Sequence, residues 1–169
     1  MDVFEAVRTV LAVRRYQDRP VPEGVVHRIV ESARLTASSM NLQPWHFVVV
    51  TEPERLRRLG EVVRTGPYIA DAPLAIAVAA ERGSRFAVSD ASRAVQSMIL
   101  TAWEAGVGSN WTGFTGLEEV RLLLAIPEGY DVLAVVPFGY PSEDRRAGRK
   151  DRKPLSDVAS RERFGQPFS

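Results

Sequence analysis

Three short segments dominated by apolar residues, 45–50, 74–80 and 132–138, limit what this chain can fold into. They are rich in β-branched and aromatic side chains or bounded by turn residues, which is typical of buried strands. The run at 74–80 follows Pro73 and ends at Glu81-Arg82-Gly83, so we interpret it as a central strand. The sequence therefore predicts a sheet at the centre of the core.

Helical periodicity predicts the elements that surround this sheet. An N-terminal helix is expected, and a second is expected to begin at Pro22 and to end near Ala37. A longer helix is predicted to start at a cap formed by Asp90, and another at a capping box formed by Thr115 and Glu118. Because strands and helices do not alternate regularly, the pattern indicates the α+β class rather than a doubly wound parallel sheet.

The composition fits one soluble domain and excludes thiol chemistry. With 169 residues, 45% of them hydrophobic, the chain can bury one sizeable core. It has no cysteine, which excludes disulfides, thiolate metal sites and redox thiols and leaves any electron transfer to a bound cofactor. The two histidines, His27 and His46, have no paired carboxylates around them, so no metal site is expected.

The charge pattern argues against nucleic-acid and membrane partners. The formal net charge of +1 gives no field that would attract polyanions, and no apolar run reaches the roughly 18 residues of a membrane span. The N-terminus is acidic where a secretory signal is basic, so a cytoplasmic location is expected. Locally, Lys150 and Lys153 lie with four arginines within residues 145–153, which alone would indicate a solvated tail or a weak nucleic-acid patch.

The segment 37–45, with the sequence Ala-Ser-Ser-Met-Asn-Leu-Gln-Pro-Trp, concentrates hydroxyl and amide groups between a predicted helix and a predicted strand. Such groups suit a polar heterocycle, although composition alone favours a turn whose side chains bond only their own backbone. The order of the residues resembles the Pro-Ser-Ser-x-Asn-x-Gln-Pro-Trp signature of the nitroreductase family, with Ala37 in place of the first proline.

The resemblance extends over nearly the whole chain in five ordered elements. These elements are residues 13–22, 37–45, 71–73, 90–108 and 150–154. The resemblance implies an α+β fold with a central mixed sheet flanked by helices, and a single domain over residues 1–169. It also implies an intertwined homodimer, in which the extended C-terminal segment 141–169 packs on the partner subunit and FMN lies at the interface.

The resemblance further implies cofactor-binding roles for residues spread along the chain. They are Arg14, Arg15, Ser38, Ser39, Asn41, Gln43, Thr65, Tyr68, Thr112, Gly113, Lys150 and Arg152. Arg14 would lie against the N1 and O2 edge of the flavin, where a cation stabilises negative charge. Thr112 and Gly113 would offer backbone amides to N5 and O4, and Lys150 with Arg152 would clamp the phosphate.

The reaction that the resemblance implies leaves the redox step to the flavin and needs no catalytic side chain. NAD(P)H would deliver hydride to N5 and leave before a nitroaromatic, quinone or similar small acceptor takes its place, in a ping-pong cycle. Trp111, Phe114 and Phe86 are candidates for the substrate side of the pocket, with core packing an equal alternative for each.

One element departs from the family pattern. Val10-Leu11-Ala12 stands where family members usually carry Arg-Arg-Ser, so an arginine and a serine that contact the phosphate are absent. Either Lys150, Arg152 and a neighbour such as Arg149 suffice for FMN, or the chain binds another flavin such as a deazaflavin. A flavin carrier without turnover, and a dehalogenating or oxidising relative on the same fold, are the alternatives in function.

Overall fold

A four-stranded sheet forms the centre of the computed structural model, which describes residues 1–142 and 150–168. The strands are β1 (Trp45–Val50), β2 (Leu74–Glu81), β3 (Gly108–Ser109) and β4 (Tyr130–Gly139). Their order is β1-β2-β4-β3, and each neighbouring pair is antiparallel. The three strands predicted from the apolar segments are confirmed, and β2 lies in the interior of the sheet as expected.

Helices cover both faces of this sheet, which confirms the α+β class. They are α1 (Val3–Thr9), α2 (Glu23–Arg34), α3 (Pro53–Val62), α4 (Ala87–Glu104) and α5 (Leu117–Leu123). Short 3-10 turns lie at Ser39–Asn41, Pro67–Asp71 and Leu155–Asp157. Within the described ranges, none of the helices combines the length and the apolar character that crossing a bilayer requires.

Strand β2 explains why helices lie on both sides. All of its residues except Glu81 are buried, so its alternating side chains meet an apolar layer on each face. Leu74, Ile76 and Val78 pack with residues of α2 and α4. The intervening alanines pack with residues of α3 and α5 on the opposite face. Two apolar clusters therefore enclose the sheet.

Helix α4 crosses one face of the sheet and begins earlier than predicted. The residues that it buries against the core include Ala91, Ala94, Val95, Met98 and Ala102. Because the helix starts at Ala87, the prediction that Asp90 caps it is wrong. Asp90 lies in the first turn on the same face as Ala94 and is fully buried. A carboxylate thus points into a face that is otherwise apolar.

Two other helix boundaries differ from their predictions. Helix α2 ends at Arg34 rather than near Ala37, because the Thr36 amide donates to the Ala33 carbonyl and leaves the Ser32 carbonyl to the Thr36 hydroxyl. Helix α5 begins after Gly116, whose φ of 76° is left-handed, so the predicted capping box of Thr115 and Glu118 does not form. The Glu118 carboxylate instead pairs with Arg121 at 2.7 Å.

An extended arm, residues 10–16, runs from α1 along the edge of the sheet. The Val13 amide donates to the Ser109 carbonyl at 2.9 Å, and Ala12 forms a parallel bridge with Ser109. This bridge lies outside the named strands, and all strand pairs of the described sheet are antiparallel, so the expectation of a mixed sheet is wrong for the described residues. Val13 is buried against Gly108, where a Cβ would lie 2.3 Å from Val13 Cγ2. The contact therefore requires glycine at position 108.

The C-terminal residues 150–168 lie on the surface and form no core of their own. Nearly all of them are exposed, and Phe164 is fully exposed. Leu155 and Val158 are also largely accessible to solvent. Apolar side chains in this position are typical of a segment that packs on another protein surface.

We expect Gly116→Ala to destabilise the fold more than any other glycine-to-alanine change in a turn. Its left-handed φ costs an alanine about 1–2 kcal/mol, and a Cβ there would lie 1.9 Å from the Val62 carbonyl oxygen. The change should lower the free energy of unfolding by more than ~2 kcal/mol in urea titrations.

Two other glycines provide matched controls for this change. Gly83 has a similar φ of 82° but no atom within 4 Å of its Cβ position, so Gly83→Ala should cost only the conformational part. Gly24 lies in α2 with open space around it, and Gly24→Ala should stabilise the protein by roughly 0.5–1 kcal/mol. Equal losses at positions 116 and 83 would contradict the steric explanation.

Candidate functional site

The polar loop at residues 38–43 has an unusual backbone. Met40, Asn41 and Gln43 have φ values of 51°, 55° and 53°, all in the left-handed region. Residues other than glycine adopt this region at a cost, and such residues cluster at functional sites. Met40 is 78% exposed, and the Asn41 and Gln43 side chains are also exposed. The loop therefore presents polar groups to the outside on a strained backbone.

Hydrogen bonds hold this loop at both ends. The Ser39 amide donates to Asp90 Oδ2 at 2.9 Å, and the Ser39 hydroxyl lies 3.4 Å from Asp90 Oδ1. The Gln43 amide donates to Ser38 Oγ at 2.9 Å. The Gln43 side chain donates to the backbone and side-chain oxygens of Asn41 at 3.2 and 3.3 Å. The predicted loop residues are thus brought together by one another and by α4.

Asp90 is an ionised carboxylate inside this arrangement. Burial raises the pKa of the Asp90 carboxyl. The Ser39 amide and the Arg93 guanidinium lower this pKa by more than burial raises it, so the pKa lies below its usual value. Arg93 contacts Asp90 Oδ1 and is itself half exposed. A buried charge of this kind is stable only when it is paired and hydrogen-bonded. Asp90 therefore ties the loop to the core through its charge.

A cleft of about 660 Å³ lies between α1, the arm and α4. Its apolar wall is formed by Val7, Val10, Leu11, Ile99 and Trp111, among others. Three cations line the same cleft: Arg8, which is paired with Glu5, and Lys150 and Arg152, at which the apolar wall ends. Pockets of this size that combine apolar walls with a few charged groups are typical of sites for small ligands.

The two cations Lys150 and Arg152 are close enough to influence each other. Burial lowers the pKa of Lys150, and the nearby Arg152 lowers it further. Lys150 Nζ donates to the Val7 carbonyl, and Arg152 donates to the Asp151 carbonyl at 2.8 Å. An ammonium has three donors, so Lys150 keeps others for a ligand. Arg149, the neighbour considered above, lies outside the described residues, as do Arg145 and Arg146.

The arm carries the predicted cation Arg14 at its other end. Arg14 and Arg15 are exposed and line a second cleft of about 790 Å³ that also includes Asp71 and Pro73. Within the described residues, Arg14 makes no hydrogen bond or ion pair. Alternate residues of an extended chain point to the same side, so Arg14 lies on the same side of the arm as Ala12, which lines the first cleft, but Arg14 itself lines only the second cleft.

Tyr16 fixes the end of this arm. Its hydroxyl donates to the Val13 carbonyl at 2.8 Å, and its ring packs against the position of Gly139. Burial raises the pKa of Tyr16 well above its usual range. The phenol is therefore a neutral structural group, and the charges that the arm exposes are the guanidinium groups of Arg14 and Arg15.

The turn at residues 110–113 corrects one prediction. The Thr112 amide donates to the Val135 carbonyl at 3.1 Å, and the Thr112 hydroxyl donates to the same oxygen at 2.6 Å. Thr112 is buried, so its amide is not available to a ligand. Gly113 has a φ of 154°, and a Cβ there would lie 2.8 Å from the Leu133 carbonyl oxygen. Strand β4 therefore already explains why position 113 is glycine.

Asn110 is a polar residue of the cleft that the sequence analysis missed. Its Nδ2 donates to the Tyr68 hydroxyl and, at 3.2 Å, to the Trp111 carbonyl. Because a carbonyl can only accept, this contact fixes the orientation of the amide and leaves Oδ1 without a donor among the described residues. A lone amide after Gly-Val-Gly-Ser, next to a buried turn, is the sequence signal that could have identified it.

The other predicted pocket residues are not all brought together. Trp111 lines the cleft and packs on the core, whereas Phe114 is 82% exposed. Phe86 lies at the start of α4 beside Arg85 and does not line the cleft. Thr65 is exposed and precedes Gly66, which packs against Thr112. In one chain, therefore, Phe86 does not share a wall with Trp111.

The predicted site residues thus fall into two groups. One group surrounds the arm, the cleft and the adjoining turn: Arg14, Arg15, Thr65, Tyr68, Trp111, Lys150 and Arg152. The other group lies on the loop beyond the start of α4: Ser38, Ser39, Asn41 and Gln43. The cleft contains residues of the first group and none of the second. The loop therefore does not line the cleft of a single chain.

Comparison with known proteins identifies the family. A family model described as "Nitroreductase family" matches residues 8–73 and 64–140. A protein of Methanothermobacter thermautotrophicus, provisionally named NADH dehydrogenase/NAD(P)H nitroreductase, is 40% identical over 152 residues, which is 85% of this chain and 80% of that protein. A protein of Archaeoglobus fulgidus with the same provisional name is 33% identical and covers 96% of this chain and 99% of its own.

Solved structures agree with this match. An FMN-dependent nitroreductase from Clostridium difficile superposes with a TM-score of 0.87 at 26% identity, over 96% of this chain and 100% of that chain. A Parabacteroides distasonis protein, also provisionally named NADH dehydrogenase/NAD(P)H nitroreductase, has a TM-score of 0.86 at 26% identity, over 94% and 96% of the two chains. Sequence order, fold and family model agree, and the chain belongs to the nitroreductase family.

Proposed function

We propose that this protein is an FMN-dependent oxidoreductase that takes electrons from NAD(P)H and passes them to a small acceptor such as a nitroaromatic or a quinone. The observation that carries the proposal is the cleft, whose apolar wall ends at Lys150 and Arg152. The names of similar proteins, an FMN-dependent nitroreductase and an FMN reductase of Bacillus subtilis among them, support it.

The residues of the cleft fit FMN by their chemistry. Its phosphate is a dianionic monoester, which matches two neighbouring cations. The apolar wall suits a ring system, and Asn110 Oδ1 is an acceptor for a hydroxyl or an N–H group between the two ends. About 660 Å³ lies within the usual size range of cofactor pockets. Val10 and Ala12 add no charge, so Lys150 and Arg152 would hold the phosphate.

The chain's own residues would position the cofactor and stabilise charge on it, and the cofactor would supply the redox chemistry. When bound, FMN supplies two-electron transfer between NAD(P)H and the acceptor. Arg14 would lie against the N1 and O2 edge of the ring, where its guanidinium stabilises negative charge. Gly113 would lie near the ring. Thr112 would hold the turn that carries Gly113 in place through its hydrogen bonds to Val135 of β4. Donor and acceptor would use the same exposed face in turn, which is a ping-pong order.

We further propose that the site is shared between the two chains of a homodimer. The division of the site residues into a cleft group and a loop group supports this, because a loop from a second chain can complete the cleft. Exposed apolar residues of α1, Val3 and Phe4, provide a surface for association. The exposed segment 150–168 supports the expectation that residues 141–169 pack on the partner.

A second candidate is a deazaflavin-binding protein or a flavin carrier on the same fold. The observation that favours it is the lining of the cleft by Val10, Leu11 and Ala12, which provide no phosphate ligand beside Lys150 and Arg152. The mass of the cofactor that copurifies with the protein distinguishes this candidate from the first. Its retention without turnover would favour the carrier.

The reductase activity can be tested on the purified yellow protein without oxygen. We expect NADH or NADPH to bleach the visible flavin band, and a nitroaromatic or a quinone to restore it. NAD(P)H oxidation should then depend on the acceptor. Double-reciprocal plots of initial rate against NAD(P)H concentration, at several fixed acceptor concentrations, should give the parallel lines of a ping-pong order. A band that neither nicotinamide bleaches would reject the reductase proposal.

The phosphate clamp predicts a difference between two ligands that share the same ring. Lys150→Ala and Arg152→Ala should each weaken FMN binding about 10- to 100-fold, the effect of losing one hydrogen bond to a charged group. Riboflavin lacks the phosphate, so its affinity should stay within about twofold. Lys153→Ala is the matched control, since Lys153 is a neighbouring cation that does not line the cleft. Equal losses for FMN and riboflavin would contradict the clamp.

Mixed dimers can test whether each site draws on both chains. If Arg14 and Asn41 of one site come from different chains, a dimer of Arg14→Ala with Asn41→Ala contains one intact site and binds one FMN tightly. A dimer of wild type with the double variant then contains no intact site. Sites within single chains would give the reverse result, so differently tagged chains, coexpressed and purified through both tags, decide between the two arrangements by flavin content.

A further inference from the structure

We propose that Asp90 is a positioning residue of the cofactor site, which holds the 38–43 loop in the conformation that binds FMN. The proposal rests on the function proposed above, because it assumes that this loop contacts the cofactor. Asp90 itself is buried and does not line the cleft, so it would act through Ser39. Sequence patterns suggest only a helix cap at this position, and the structure assigns it a different task.

Both oxygens of the Asp90 carboxylate have partners in the loop or in α4. Oδ2 accepts the Ser39 amide at 2.9 Å, and Oδ1 contacts Arg93 and lies near the hydroxyls of Ser39 and Ser89 at 3.4 and 3.5 Å. Asp90 is 0% exposed, so no water competes for these acceptors. Hydrogen bonds to a buried charge are stronger than those between neutral groups. The amide of Ser39 is thereby fixed relative to α4.

The loop needs this fixed point because its other hydrogen bonds described above join loop residues to one another and do not attach the loop to the core. Met40 and Leu42, its apolar side chains, are 78% and 54% exposed and contribute little packing. Three of its residues have left-handed φ values, each of which costs of order 1 kcal/mol or more unless the surroundings enforce it. The next firm attachment is Pro44, which is buried at the start of β1. Asp90 therefore supplies the constraint at the first half of the loop.

Ordering the loop in advance lowers the cost of binding. If the loop were released, its residues would have to be ordered when FMN binds, and affinity would fall by the corresponding amount. The reaction of bound cofactor would change little, because Asp90 does not line the cleft and acts only through the loop. In the shared site proposed above, Asp90 of one chain prepares the loop that serves the cleft of the other.

Two variants of Asp90 and one control test this role. Asp90→Leu keeps the branching at Cγ but replaces both acceptor oxygens with larger methyl groups. Asp90→Asn keeps one acceptor oxygen and replaces the other with an amino group, which can only donate. Either the Ser39 amide or the Arg93 guanidinium therefore loses its acceptor. Thr36→Val is the matched control, because it removes the hydrogen bonds of the Thr36 hydroxyl to Ser97 of α4 at 2.7 Å and to the Ser32 carbonyl at 2.9 Å without changing a loop residue. The readouts are the Kd for FMN, kcat at saturating FMN, the Tm and amide exchange at Ser39.

We expect Asp90→Leu to raise the Kd for FMN about 10- to 100-fold and Asp90→Asn about 3- to 10-fold, as for the loss of a charge-assisted hydrogen bond. The Ser39 amide should exchange faster in both, and kcat at saturating FMN should stay within about twofold. Thr36→Val should lower the Tm without changing the Kd. A Kd for FMN in Asp90→Asn equal to that of wild type would overturn the proposal, even if Asp90→Leu fails to fold.

The result also separates this proposal from the function on which it rests. If the wild type binds neither FMN nor a deazaflavin, the proposed function fails and the variants need not be compared. If the wild type binds FMN and Thr36→Val weakens binding as much as the Asp90 variants do, the loss reflects general loosening of α2 against α4. In that case the proposed function stands and the positioning role of Asp90 is rejected.

Discussion

The burial of β2 on both faces is the constraint from which the rest of the structure follows. A strand without a polar side needs helices above and below it, and α4 fills one of these positions. Helix α4 then has the 38–43 loop at its first turn and the cleft beside Gln96 and Ile99. Both halves of the candidate site are thus positioned by one helix, and that helix is positioned by the core. Changes in the packing of α4 would move the two halves together.

The sequence predicts the central elements well because their signals are local. Apolar runs identify three strands, and periodicity identifies α4. The failures concern contacts between distant residues. Asp90 has the chemistry of a cap, but its partner Ser39 lies 51 residues earlier and cannot be found from local pattern. The capping box at Thr115 is a good local motif that the left-handed Gly116, packed against Val62, overrides. Strand β3 has two residues and leaves no periodic signal.

For the candidate site, the order of motifs was more informative than the chemistry of any one of them. Family resemblance located the loop, the arm and the two cations, and the structure gathers these into two groups. The resemblance could not reveal that the Thr112 amide is already bonded to Val135, because this hydrogen bond depends on the path of β4. The resemblance also missed Asn110, whose side chain is identified only by its hydrogen bond to the Tyr68 hydroxyl, a residue distant in the sequence. Bonding that depends on tertiary contacts is thus where the sequence reaches its limit.

The close contact of Val13 with Gly108 has a consequence for the arm. Successive residues of an extended chain point to opposite sides, so a slip of one position would turn every side chain over. Such a slip would drive the guanidinium of Arg14 into the core and leave the isopropyl group of Val13 in water. The absence of a Cβ at position 108 makes room for valine in one register only. A glycine at the edge of the sheet thereby decides which way a charge faces at the surface.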